Sequence, residues 1–282
     1  MGLAFFEEDA MPVRTKSLAL IGSAAALTLV LSLPMPSAEA KPDVWQTLKQ
    51  QTFGDRAIAT DGMVVLEMPD TAEDAALVPL TVRVPPHVRQ DLKSLTLVID
   101  NNPDPVIAKI AFGPAAGNGG ERSFSTRVRV EDFSHVRAIL ETGDGELHMA
   151  SKFVAAAGGC GALMAKDPDV ETVDLGKMIV KTFPPALDSN PIWSGQVMIK
   201  HPNANGMQLD INTATIIPAR YVKEMTVKRD GELVFKMEGT FSISTNPNFR
   251  FTYGRGQDND LDVTIVDTDQ TVFAGHSDPA GS

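Results

Sequence analysis

The stretch "LTLVIDNNPDPVIAKIAF" (residues 95–112) places two short apolar runs on either side of a polar break. Each run, "SLTLVID" at 94–100 and "PVIAKIAF" at 105–112, has the length of one β-strand. The break, "NNPD", contains the asparagine, proline and aspartate that favour turns. Asp100, Asn101, Asn102 and Asp104 resemble a calcium loop, but Pro103 and Pro105 disrupt its geometry, so a turn is predicted.

The same pattern extends along most of the chain, and several runs alternate apolar and polar residues with period two, as half-buried antiparallel strands do. The first series adds "GMVVLEM" (62–68), "ALVPLTVRV" (76–84), "SFSTRVRV" (123–130), "HVRAILET" (135–142) and "ELHMASKFV" (146–154). The second comprises "SGQVMIKH" (194–201), residues 219–238, "TFSIS" (240–244), "NFRFTYG" (248–254) and "LDVTIVDTD" (261–269). The spacing predicts an all-β fold of two immunoglobulin-like β-sandwich domains in tandem.

Non-strand segments complete this organisation. "DVWQTLKQQTFG" (43–54) predicts a short helix, and Asp230-Gly231 predicts a hairpin. Residues 162–190 are rich in proline and charge, with one candidate strand in "LGKMIVKTF", and are interpreted as a linker between the domains.

The N-terminal region predicts export. Basic "RTK" at 14–16 precedes the apolar run 17–33, and "SAEA" at 37–40 offers small residues for cleavage after Ala40. This order is typical of a secretory signal peptide rather than of a membrane span, and we assign residues 1–40 to it. We expect Met11 to be the true start, because "MPVRTKS" fits the basic beginning of a signal peptide. We therefore expect a periplasmic protein beginning at Lys41.

The formal net charge of -11 argues against binding to nucleic acid or anionic membranes, because both require clusters of Lys and Arg. At 43%, the hydrophobic residues suffice to build packed cores. Acidity favours solubility and the attraction of basic partners.

Cys160 is the only cysteine, and it lies between Gly158, Gly159 and Gly161. Exported proteins generally pair their cysteines, so a single one indicates an intermolecular bond, a reactive thiol or an incidental residue. Glycine offers no side chain to pack against, but it gives backbone freedom and room for close approach. The glycines therefore favour a reactive thiol. We expect Cys160 to lie in a mobile, accessible loop, with the three glycines providing flexibility.

Catalytic and metal-binding interpretations find less support. A cysteine hydrolase needs a base beside the thiol, and His148, the nearest histidine in sequence, is interpreted as an ordinary surface or edge histidine. The five histidines, His87, His135, His148, His201 and His276, are scattered without metal-ligand spacing. His201-Pro202 predicts a turn at a strand end, with contact to the Cys160 loop or a partner as the alternative.

Three segments resemble the SoxY sulfur carrier: residues 95–112, "STRVRV" (125–130) and "HVRAILETGDGELHMASKFVAAAGGCG" (135–161), which includes the Gly-Gly-Cys-Gly motif. Three more resemble its partner SoxZ: "VMIKHPNANGMQLD" (197–210), "IIPARYVKEMTVKRDGELVF" (216–235) and "STNPNFRFTYG" (244–254). Their order is similar to that of the fused SoxYZ-like carriers, a group linked with quinoprotein alcohol dehydrogenases. The resemblance implies a SoxY-like domain over 41–161 and a SoxZ-like domain over 191–282.

The resemblance also implies a non-catalytic carrier that holds sulfur-oxidation intermediates, thiosulfate-derived sulfur first among them, on Cys160. Implied partners are periplasmic sulfur-oxidising enzymes or c-type cytochromes, or a quinoprotein dehydrogenase system, and no cofactor is implied. Two features depart from the family: Ala162 replaces a second glycine, and the chain continues beyond the arm. An arm anchored at both ends enters a partner as a loop. Alternative functions are an accessory module of a quinoprotein dehydrogenase system or an adhesion module.

Overall fold

The apolar runs become strands in the structure, a computed structural model that describes residues 44–160, 165–186 and 191–277. The first half contains β1 Val65–Glu67, β2 Val78–Val84, β3 Leu92–Ile99, β4 Val106–Phe112, β5 Arg122–Val128, β6 Ser134–Thr142 and β7 Leu147–Val154. The second half contains β9 Met178–Phe183, β10 Ile192–Ile199, β12 Val222–Arg229, β13 Glu232–Gly239, β14 Asn248–Gly254, β15 Leu261–Asp267 and β16 Val272–His276. Two-residue strands β8 Ala165–Lys166 and β11 Leu209–Asp210 pair in parallel.

Two antiparallel sheets hold these strands, and each sheet contains strands from both halves of the chain. The order is β1-β2-β5-β14-β10-β9 in the six-stranded sheet and β16-β15-β12-β13-β4-β3-β6-β7 in the eight-stranded sheet. The halves join where β5 pairs with β14 and where β4 pairs with β13. The predicted all-β, immunoglobulin-like fold is confirmed, and the two halves are joined by backbone hydrogen bonds across both sheets.

Aromatic side chains fill the space between the sheets near this junction. The Phe124 ring lies 6.0 Å from that of Phe235, edge to face, and Phe235 lies 4.9 Å from Phe251 in a similar arrangement. These residues belong to one core cluster that draws on both halves. Because aromatic residues bury large apolar areas, this packing resists separation of the halves.

The helices are short and peripheral. Helix α1, Val44–Phe53, confirms the predicted N-terminal helix and buries Trp45, whose ring is covered by the Arg137 guanidinium at 4.3 Å. A single 3-10 turn spans Pro114–Ala116, and helix α2 spans Pro168–Glu171. Within the described ranges no helix is long and apolar enough to cross a membrane.

Some predicted elements differ from the structure. "TFSIS" (240–244) is a turn, with a single bridge from Ile243 to Val128, rather than a strand. Strand β16 was not predicted. Inside the proposed linker 162–190, β9 is hydrogen-bonded to β10. The signal peptide, residues 1–40, lies outside the described residues, and the domain boundaries stay a prediction.

Candidate functional site

The segment leading to Cys160 leaves β7 and runs between two loops of the first half. The Ala155 N–H donates to the Asp70 carbonyl at 2.8 Å, which ties the start of this segment to the first loop. The Gly158 N–H donates to the Glu131 carbonyl at 2.6 Å, and the Gly159 N–H donates to the Val130 carbonyl at 3.1 Å. Residues 155–160, here termed the arm segment, are therefore docked along the protein by main-chain hydrogen bonds.

Two glycines of the arm segment are required by this docking. Gly158 has φ +78°, a conformation that side-chain-bearing residues rarely adopt. A Cβ at Gly159 would lie 2.2 Å from the Ala75 carbonyl oxygen and 2.6 Å from that of Val130. Gly159 thus permits close backbone packing. Whether it also supplies flexibility stays a prediction, and Gly161 lies outside the described residues.

Cys160 is held from both halves of the chain. Its N–H donates to Glu131 Oε2 at 2.6 Å, and its carbonyl accepts a hydrogen bond from Asn205 Nδ2 at 2.6 Å. The Ser242 side chain lies near the thiol, where it acts to lower the thiol pKa. Glu131 belongs to the first half, whereas Asn205 and Ser242 belong to the second, so Cys160 lies at the junction of the two.

Cys160 is only 1% exposed. The prediction of an accessible thiol is therefore wrong for this conformation, because the glycines let the arm segment approach the protein closely enough to bury it. Burial, followed by the negative charge of Glu131, raises the pKa of the Cys160 thiol to about 11. The docked thiol is protonated at neutral pH, and since the thiolate is the nucleophile, burial lowers its reactivity.

Asn102 orders the loop that binds Cys160. Its Nδ2 donates to the Arg129 carbonyl at 2.8 Å and to Ser242 Oγ at 3.0 Å, and its Oδ1 accepts the Glu131 N–H at 2.9 Å. The predicted turn at 100–104 is confirmed. At its start the Asp100 carboxylate receives the Arg137 guanidinium at 2.7 Å, which balances this buried charge.

Arg129 connects the same loop to the second half. Its guanidinium donates to the Ile243 carbonyl at 2.8 Å, to Thr245 Oγ1 at 3.0 Å and to the Phe241 carbonyl. Arg129 is among the largest fully buried side chains in the described residues. Removing a buried, hydrogen-bonded charge is costly, so Arg129 holds the two halves together at this junction.

His148 and His201 have hydrogen-bond partners other than Cys160. His148 lies in edge strand β7, as predicted, but it is buried, with Nδ1 2.9 Å from Asp61 Oδ2, and is therefore not a surface residue. His201 follows the end of β10, as predicted, and its Nδ1 accepts the Asn203 N–H at 3.0 Å. His201 Nε2 lies 3.5 Å from Asp267 Oδ2. No group of metal-ligating side chains occurs among the residues that the structure describes.

Sequence reasoning found Cys160 but missed the residues that bind it and the residue, Asn102, that orders their loop. Asn102 was interpreted only as part of a turn, and Asn205 lies in "HPNANG", whose Asn and Gly residues are equally typical of a loop. Glu131 and Ser242 carry no motif. Asparagine in a buried loop is a usable indication, because its amide must find hydrogen-bond partners.

Solved structures similar to this chain share low sequence identity with it. The sulfur carrier protein SoxY from Chlorobium limicola f thiosulfatophilum is 20% identical, with a TM-score of 0.32, over 40% of this chain and 90% of that chain. A superoxide reductase (neelaredoxin) from Ignicoccus hospitalis is 17% identical, with a TM-score of 0.28, over 39% of this chain and 90% of that chain. No match was found among curated proteins.

Family models identify both halves. The model for sulfur oxidation protein SoxY matches residues 49–160, and its match ends at Cys160. The model for sulphur oxidation protein SoxZ matches residues 181–278. Together these matches cover most of the chain, in the order that the sequence motifs indicated. The chain belongs to the SoxYZ sulfur-oxidation carrier proteins, with a SoxY domain fused to a SoxZ domain.

Proposed function

We propose that this protein is a periplasmic carrier that binds sulfur-oxidation intermediates covalently on Cys160, presents them to partner enzymes and performs no turnover alone. The observation that supports this most directly is the position of the single thiol. Cys160 ends the SoxY match, and its carbonyl accepts a hydrogen bond from Asn205 of the second half, where Ser242 also lies near the thiol. Because both halves hold Cys160 in place, cargo binding is coupled to the fused architecture.

The docked arm segment is the resting state of this carrier. With the thiol buried and its pKa raised to about 11, Cys160 is shielded from oxidants and stray electrophiles. Loading requires the arm segment to leave Glu131 and Asn205, after which the thiol regains an ordinary pKa near ~8.5. Release breaks the hydrogen bonds of Gly158, Gly159 and Cys160, and the glycines allow the backbone to change conformation.

Loading with thiosulfate is an oxidation. The Cys160 thiol loses its proton, a bond forms between its sulfur and the sulfane sulfur of thiosulfate, and two electrons leave. The product is a thiosulfonate adduct, Cys–S–S–SO3⁻. An electron acceptor is required, which fits c-type cytochromes among the partners. Hydrolysis of the adduct on a partner releases sulfate and leaves a persulfide, Cys–S–SH. The Cys160 thiol is regenerated when a thiol of a partner takes up the outer sulfur and becomes a persulfide itself.

Exposed apolar residues flank the arm segment and suit partner docking. The Phe133 side chain is 57% exposed, two residues from Glu131, and Leu77 is exposed two residues from Ala75. Both loops are hydrogen-bonded to each other through the Val130 N–H and the Ala75 carbonyl at 2.9 Å. Aromatic residues are frequent at the centres of protein interfaces, so a partner that covers Phe133 also reaches Cys160.

The chain returns to the protein after Cys160. Strand β8 pairs with β11 of the second half, with Ala165 opposite Leu209. The arm therefore enters a partner as a loop fixed at both ends, which requires a wider channel than a free terminus does. Covalent tethering still keeps the intermediate at high effective concentration beside the partner.

Intact-mass spectrometry of protein purified from its native periplasm tests the proposal. We expect mass additions of sulfane, thiosulfonate or sulfonate on Cys160, and their absence from a Cys160→Ser variant that folds normally. Partner-dependent discharge of the adduct would establish delivery. Unmodified Cys160 under sulfur-oxidising conditions, or a variant that supports oxidation as wild type does, would refute the carrier and favour an accessory or adhesion module.

A further inference from the structure

A half-enclosed cavity of about 240 Å³ lies between residues 168–172 and the second half of the chain. Pro168 and Thr172, which follow β8, form one wall, and Pro202 and Ala204 form another. Ala204 immediately precedes Asn205, the residue that binds the Cys160 carbonyl. The volume is small for a drug-sized molecule and suits a compact ligand.

Gln208 supplies an unused polar group inside this cavity. It lines the cavity and is only 7% exposed, which makes it more than nine-tenths buried. Among the described residues its side-chain amide has no hydrogen-bond partner, whereas its main-chain carbonyl accepts the Ile217 N–H at 2.9 Å. Because this amide lines the cavity, a ligand there can hydrogen-bond it in place of solvent.

Arg220 provides a second donor at the cavity. Its Nε contacts Asp267 Oδ2 at 2.9 Å and Asp269 Oδ2 at 3.0 Å, and its Nη2 donates to Thr271 Oγ1 at 3.1 Å. Within the described part of the chain its Nη1 has no hydrogen-bond partner. The charged residues in the lining, Arg220 and Asp269, are paired with each other, so the cavity favours neither an anion nor a cation.

We propose that this cavity is a binding site for a small neutral organic molecule that carries a carbonyl or hydroxyl oxygen. The oxygen accepts hydrogen bonds from Gln208 and from Arg220 Nη1, and the hydrocarbon part lies against Pro202, Ala204 and Ile217. This site goes beyond the carrier function, since Cys160 takes no part in it.

The test uses three probes of similar shape, namely cyclohexanone, cyclohexanecarboxylate and cyclohexylammonium, titrated into the full chain and followed by ¹H–¹⁵N NMR. Cyclohexanone should give saturable shifts of the Ala204, Gly206 and Arg220 amides and bind more tightly than either ion. Gln208→Met, nearly isosteric but without the amide, should weaken cyclohexanone binding about threefold to tenfold. Ala219 also lines the cavity, so Ala219→Leu, which places a larger side chain there, should abolish cyclohexanone binding.

Ala57→Leu is the matched control, because Ala57 is exposed in the first half and lines none of this cavity. It should bind cyclohexanone as wild type does. Absence of saturable shifts, unchanged binding in both cavity variants, or tighter binding of either ion would overturn the proposal. None of these results depends on the thiol. The cavity proposal can therefore be refuted while the carrier function stands, and the carrier function can be refuted while the cavity proposal stands.

Discussion

Cys160 and His201 are both buried titratable residues, yet they are held in different ways. Burial raises the pKa of the thiol and lowers that of the imidazole, so both residues are neutral in the fold. Cys160 is bound on a loop by hydrogen bonds to Glu131 and Asn205. His201 lies against Asp267 and the Phe273 ring, which belong to adjacent strands. We infer that Cys160 can be exposed by a local movement, whereas exposing His201 requires unfolding.

The largest expected effect is on the His201 region. Asp267 is 0% exposed and receives Arg220 Nε at 2.9 Å and the Thr271 N–H at 2.8 Å. Asp267→Ala leaves the partners of a buried carboxylate unsatisfied, so we expect a loss of about 3–5 kcal/mol in the free energy of unfolding, measured with urea. Labelling of Cys160 in the native protein should not change.

Asp269→Ala is the matched control, because Asp269 binds the same arginine but its side chain is 55% exposed. Its expected cost is below about 1 kcal/mol. Equal destabilisation by the two substitutions, or faster labelling of Cys160 in native Asp267→Ala, would show that the two regions are not independent.

The second prediction concerns the arm segment: a substitution there should change the reactivity of Cys160 more than it changes global stability. In Gly159→Ala the new Cβ would clash with the carbonyls of Ala75 and Val130, so the arm segment cannot dock. Released from burial, the thiol would return towards a pKa of ~8.5, which increases the thiolate fraction at pH 7 by about 10²-fold. We expect maleimide labelling to accelerate by a similar factor, while the global unfolding midpoint changes less than in Asp267→Ala.

Gly145→Ala is the control, since a Cβ there meets no atom within 4 Å. It adds a methyl group at a positive φ of +86° without touching the arm segment. Unchanged labelling in Gly159→Ala would contradict docking as the cause of low thiol reactivity.

The strands were predictable from sequence because alternation of apolar residues is local. "ALVPLTVRV" contains β2, and "NFRFTYG" is β14. Their arrangement was not predictable, because the pairing of β5 with β14 depends on residues more than a hundred positions apart. The site shows the same limit. Cys160 was identifiable from sequence because it is the only cysteine, whereas Asn102 and Asn205 could not be told from ordinary loop residues. Only the fold brings Asn205 to Cys160 and Asn102 to the loop of Glu131.

A third, smaller effect concerns the charge beside the thiol. Glu131→Gln retains an oxygen that can accept the Cys160 N–H but removes the negative charge that, after burial, raises the thiol pKa. The pH profile of Cys160 labelling should therefore shift to lower pH, with about 10-fold faster reaction at neutral pH. Asp132→Asn, an exposed neighbour, should leave the profile in place; equal shifts in both variants would indicate a general effect of net charge.

The smallest expected effect is the acid sensitivity of the His201 region. Burial lowers the pKa of His201 despite the nearby Asp267, so the folded protein binds a proton there less readily than the unfolded chain does. Stability contributed by neutral His201 should be fully present above the unfolded pKa of ~6.5 and should decline as pH falls below it. The Asp267 pKa is also lowered, so its contribution is lost only in a more acidic range.

The urea midpoint should be lower at pH 5.5 than at pH 7.5 in wild type, and this difference should be smaller in His201→Gln. His87→Gln, an exposed control, should keep the wild-type dependence. A midpoint that rises on acidification would mean that the Asp267 carboxylate, rather than burial, dominates the protonation of His201.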